Sequence, residues 1–133
     1  MAARTIMEMD SMLSISRLDD VFNPILASGH KLWADFIVAM VAHGRVRLTG
    51  PKTAAEVAAL SGEDKEKATK KAIDVLQKRI GCIVKTRHDW IHNCGRPKTV
   101  IQKCSYGEAC CRVRDVKLFV VTLDNFIETH RLA

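Results

Sequence analysis

From Thr53 to Thr86 the chain reads TAAEVAALSGEDKEKATKKAIDVLQKRIGCIVKT. Thr53 is a good helix N-cap, and Glu56 three residues later completes a capping box. The spacing predicts a short helix from Ala54 to Leu60, stopped at Ser61-Gly62. A second helix is expected over 64–80. Ala68, Ala72, Val75, Leu76 and Ile80 would line its buried side, with Lys67, Lys70, Lys71, Asp74 and Lys78 opposite. Gly81 is expected to end it. Cys82-Ile83-Val84-Lys85-Thr86 then reads as a strand.

Working outward, residues 12–28 have apolar residues at helical spacing. Pro24 predicts a break near Asn23. His30 to His43 is the most apolar helix candidate, closed by Gly44. Arg45-Val46-Arg47-Leu48 alternates like a short strand. Towards the C-terminus, Gly95 and Pro97 mark a turn and Thr99 to Cys104 reads as a returning strand. A third strand is expected at Lys117 to Leu123 and a short helix from Asp124 to Arg131. The fold class expected is α+β, mostly α. Its segments are an N-terminal helical extension, 1–29, a central domain, 30–105, and a C-terminal strand and helix, 106–133, for packing or dimerisation.

A chain of 133 residues is long enough for one self-supporting core. The longest apolar run, Phe36 to Ala42, is far short of the ~20 residues that cross a bilayer. No signal-peptide pattern is evident at the N-terminus. Five cysteines are an odd number, so a complete intrachain disulfide set is impossible and a reduced, cytoplasmic setting is expected. The formal net charge is +6. Residues 67–103 hold 10 basic and 2 acidic side chains, while the flanking parts are close to neutral. Positive charge concentrated in one stretch points to a polyanion, and nucleic acid comes first.

A short helix, a Gly turn and a basic helix form the order that offers the second helix to a major groove. A basic hairpin behind it would be a wing. The segment Thr53 to Ser61, the run Ala72 to Val84 and the loop Gly95-Arg96-Pro97-Lys98 together resemble the winged helix-turn-helix domain of small microbial or phage-type transcriptional regulators. The likeness covers roughly residues 30–105. It implies a DNA-binding regulator, a repressor by analogy, with helix 64–80 in the major groove and the wing 87–98 on the minor groove or backbone. The contacts expected are Lys67, Thr69, Lys70, Lys71, Lys78, Lys85, Arg87, Arg96 and Lys98. Arg96 suits a narrow minor groove. Leu13, Leu18, Phe22, Ile25 and Leu26, with Leu123, Phe126 and Ile127, would cap the core or form a homodimer interface. The alternative is a small protein-binding inhibitor or adaptor, of phage or mobile-element type, using the same scaffold.

Other chemistries fit less well. Cys82, His88, His92, Cys94, Cys104, Cys110 and Cys111 offer soft ligands, but no C-x2-C pair occurs and adjacent Cys110 and Cys111 do not easily address one ion, so no metal site is expected. A Cys–His pair on one hairpin would be a poor preorganised nucleophile. There is no phosphate-cradling Gly loop, so neither enzyme activity nor a cofactor is expected.

Overall fold

The computed structural model describes residues 15–51, 53–92 and 104–132. A 3-10 turn at Ile15–Arg17 leads into α1, Leu18–Phe22, and a second 3-10 turn at Asn23–Ile25. Four longer or shorter helices follow: α2, Leu32–Ala42, α3, Val46–Thr49, α4, Ala54–Ala59, and α5, Gly62–His92. The last is α6, Tyr106–His130. There is no β-strand among the described residues, and one isolated antiparallel bridge joins Leu26 to Arg131. The protein is therefore all-α there, which overturns the α+β winged helix-turn-helix class.

Several local expectations hold. Pro24 sits at the start of the second 3-10 turn, where its missing N–H breaks the helix. The Asn23 side-chain oxygen then accepts from the Leu32 backbone N–H at 2.8 Å, satisfying a free donor at the start of α2. Gly44 ends that helix in the left-handed region, φ +63°. Thr53 and Glu56 form the capping box, with both reciprocal bonds present.

Among the described residues, the strands expected on either side do not form. Arg45 to Leu48 enters a single helical turn, α3. Helix α5 does not stop at Gly81 but runs through Cys82–Thr86 to His92, 31 residues in all. Gly81 is not among the positive-φ glycines. The apolar period decides the outcome: Ala72, Leu76 and Ile80 are buried and Ile83 packs beside them, so the helical stripe continues across the glycine. A mid-helix Gly costs only about 1 kcal/mol against Ala, less than such a stripe gains. Lys117 to Leu123 likewise lies inside α6, where Asp115, Phe119, Thr122 and Phe126 are buried at helical spacing. The apolar run Leu118 to Val121 could not distinguish strand from helix by itself. The returning strand at Thr99–Cys104 lies outside the described residues except for Cys104, which is not in a strand.

The core gathers side chains from all three segments distinguished in the sequence: Leu26, then Leu32 to Ile80, then Phe119 and Phe126. Phe36 is its centre, with no exposed surface. It meets Phe119 edge-on at 5.6 Å and Phe126 at 5.9 Å between ring centres. Helix α2 packs on both α5 and α6, and α3 lies along α5. The Ala27 N–H donates to the His130 carbonyl at 2.8 Å and the Leu132 N–H to Ile25 at 2.9 Å, which fastens the end of α6 to the segment before α2. Leu18, Phe22, Leu123 and Ile127, read as capping or dimer residues, pack against this core, and Leu26 and Phe126 are inside it. Among the described residues, no helix is long and apolar enough to cross a membrane.

These backbone assignments predict opposite signs for two substitutions. A Cβ at Gly81 meets nothing within 4 Å and the backbone there is not left-handed, so Gly81→Ala should stabilise by about 0.5–1 kcal/mol. Gly44→Ala forces an L side chain into φ +63° and should destabilise by about 1 kcal/mol. Urea unfolding midpoints of the two variants check both signs; a destabilising Gly81→Ala would contradict a continuous α5.

Candidate nucleic-acid interface

The basic stretch becomes a surface through the geometry of α5. At 1.5 Å per residue its 31 residues extend about 46 Å. Opposite the buried line of Leu76 and Ile80 lie Lys67, Lys71, Lys78 and Lys85, all exposed. Lys71, Lys78 and Lys85 are seven apart, so they repeat every ~10.5 Å along one side. Lys67 pairs with Glu63 at 3.6 Å and Lys78 with Asp74 at 2.8 Å, both pairs well exposed and one turn apart. Exposed pairs of this kind are worth little, so either lysine can exchange its carboxylate for another anion. Lys71 and Lys85 have no ion-pair partner among the described residues.

The remaining expected contacts divide. Lys70 is exposed, yet it turns towards a groove of about 650 Å³ that it lines with Trp33, Lys65 and Ile73. Thr69 is half-buried and lines the same groove, away from the lysine line. Arg87 is exposed on the last turns of α5, in helix rather than in a wing. Arg96 and Lys98 lie outside the described residues. The expected wing, 87–98, therefore begins as helix, and its remainder from 93 lies outside the described residues.

The turn behind this face keeps the expected order. Helix α4 is joined to α5 by Leu60 and Ser61, and Gly62 adopts φ +57°, a left-handed value that suits glycine. Helices α2, α4 and α5 pack on one another pairwise. They form a three-helix unit with the lysine line on its outer side.

One cation of α5 points inward. Arg79 donates to Asp115 from Nε and Nη2, both at 3.2 Å, and from Nη2 to Glu108 at 2.9 Å. Asp115 has no exposed surface. Its other oxygen faces Arg47 at 3.4 Å and Arg45 at 3.8 Å, both from the α3 region. Arg112 donates to Glu108 at 3.2 Å. Hydrogen bonds from Arg79 and then Arg112 hold Glu108 below the usual carboxylate range. Burial opposes the charge on Arg79, but its bonds to Glu108 and Asp115 outweigh that and raise its pKa. The network joins α3, α5 and α6. Sequence reading missed it, although a signal existed: Asp115 falls on the same helical spacing as Phe119, Thr122 and Phe126, an acid at a core position.

Among the described residues, no group of three or more His, Cys, Asp or Glu side chains is placed to hold a metal ion. Cys82, Cys104, Cys110 and Cys111 are free thiols. No protein-family model, curated protein or solved structure matches the chain.

Two measurements test the network. Asp115→Ala removes the buried carboxylate that joins α3, α5 and α6 and leaves three partly exposed guanidiniums with Glu108 alone, so it should cost about 1–3 kcal/mol in urea unfolding. Because folding lowers the Glu108 pKa from its ordinary 4.5, the ionised form contributes stability that is complete above that value. The contribution disappears as pH falls through the lower, folded value. Thermal unfolding of the wild type and Glu108→Gln should therefore differ most at pH 6–7 and converge in acid; a constant gap would contradict it.

Proposed function

We propose that this chain binds double-stranded DNA through the lysine line of α5 and acts as a small transcriptional regulator. The observation that carries the reading is the line Lys67, Lys71, Lys78 and Lys85, exposed along one side of a long helix. A helix of ~10–12 Å diameter fits a major groove about 12 Å wide. Lysines on such a helix meet phosphates as point charges and fix its position; they carry little sequence information by themselves. The first turn of α5 holds Glu63 and Asp64, which suit a helix N-terminus but repel phosphate. Contact would thus start near Lys67 and run towards Lys85. No β wing belongs to this reading. A homodimer would set two such faces about one DNA turn apart.

The experiment is duplex binding measured against salt, by anisotropy, with the wild type and a Lys71→Ala, Lys78→Ala, Lys85→Ala triple variant. If each lysine neutralises one phosphate, the slope of log K on log salt should fall by about 3. Affinity near 0.15 M salt should drop by more than about tenfold. All three side chains are exposed, so circular dichroism and unfolding should stay close to wild type. Lys117→Ala, an exposed cation on α6, serves as the control and should change little. Equal slopes and affinities in the wild type and the triple variant would overturn the proposal, as would the absence of duplex binding at low salt.

A further inference from the structure

The network around Asp115 has more cation than its structural role requires. Arg79 alone occupies one Asp115 oxygen twice and also reaches Glu108, so it connects α5 to α6 without help. Arg112 adds a second donor to Glu108 from within α6. Arg45 and Arg47 come in addition. Four guanidiniums thus face two carboxylates, leaving two formal positive charges in one cluster. Arg45 and Arg47 share a single carboxylate oxygen, at 3.8 and 3.4 Å, each through one nitrogen. At 3.8 Å Arg45 has charge attraction without a hydrogen bond. A guanidinium carries five N–H donors, so most donors of this pair are unused by the described residues. Their side chains are 39% and 44% exposed, open to solvent on one side and anchored by a fully buried carboxylate on the other. The Cys111 side chain also lies against Arg47 and, ahead of Asp115, is the first of the neighbours that raise its pKa.

We propose that Arg45 and Arg47, positioned by Asp115, form a binding site for a phosphoryl oxyanion. Paired guanidiniums match the tetrahedral oxygens of a phosphoryl group through bidentate, charge-assisted bonds. A bound dianion would cancel the two surplus charges and relieve the repulsion of two arginines crowded on one oxygen. Asp115 is not a ligand in this arrangement; it holds the pair in register. The site does not depend on the DNA reading, because none of its residues belongs to the lysine line of α5. The phosphoryl group could belong to a free phosphorylated small molecule or to a nucleic-acid backbone.

The test uses inorganic phosphate with the full chain, first by 31P line broadening and then by thermal unfolding at fixed ionic strength. With a millimolar dissociation constant, about 20 mM phosphate should raise the wild-type Tm by about 5 °C, saturably. Arg45→Gln with Arg47→Gln should abolish both signals. The Lys71, Lys78, Lys85 triple variant should retain them. If the glutamine pair unfolds, Arg45→Lys with Arg47→Lys keeps the charge, removes the planar forks and should weaken phosphate binding at least tenfold. An identical Tm rise with sodium chloride, or phosphate binding unchanged in either double variant, would overturn the site. The source is read in a second arm. Competition of phosphate against duplex, with weaker duplex binding by the glutamine pair, assigns the site to a backbone; phosphate binding with duplex affinity untouched assigns it to a small molecule.

Discussion

Asp115 has no contact with solvent, and a buried carboxylate is tolerable only if opposite charge and hydrogen bonds replace its water. That requirement organises the rest of the molecule. Arg79 must come from α5, and Arg45 and Arg47 from the turn that becomes α3, so three separate parts of the chain are fixed relative to one side chain. The aromatic core around Phe36 supplies most of the burial. Apolar contacts alone tolerate sliding; a charged junction with fixed directions does not. The short helix α3, only four residues, would have little reason to persist by itself. It is held by Leu48 in the core on one side and by the arginines flanking Asp115 on the other.

Local chemistry made part of this fold legible in advance. The Thr53–Glu56 box, the Pro24 break and the Gly44 stop each act within four residues, so the sequence carries them openly. What was not legible depended on partners far along the chain. Arg45 and Arg47 alternate with apolar residues and imitate a strand; the carboxylate they both face, Asp115, lies some seventy positions later. Cys82 to Thr86 is rich in β-branched residues, yet Ile80 and Ile83 keep the helical stripe in contact with the core. Tertiary burial therefore overrode both the β preference and the glycine at 81. The candidate surface was legible in its lysines but not in its shape. Thr69 and Lys70 belong by number to the basic stretch and by geometry to the groove beside it.

Helix over 82–92, where the first wing strand was expected, changes the physical content of the DNA reading. A hairpin would reach sideways to a second groove and add contacts off the axis of the recognition helix. A continuous helix places its cations along one line instead, about 27 Å from Lys67 to Lys85. Such a line suits phosphate tracking better than base selection, because lysine is a point charge on a flexible stem. Specificity, if the chain has it, must then come from side chains between the lysines or from duplex shape.

Among the described residues, the positive charge of α5 and of the α3–α5–α6 junction thus separates into two kinds. Lysines on the outer face of α5 are solvated and singly placed; Lys67 and Lys78 have exposed carboxylates beside them, and Lys71 and Lys85 have no ion-pair partner among the described residues. Arginines at the α3–α5–α6 junction are partly desolvated, clustered and oriented by a buried acid. The first kind responds to ionic strength, because exposed charges are screened within ~8 Å at physiological salt. The second is screened less and is selective for geometry. Residue type follows from this division: flexible ammonium groups where position is negotiable, planar guanidiniums where it is fixed. The positive charge of the described residues is therefore better understood as two electrostatic surfaces with different rules than as one basic patch.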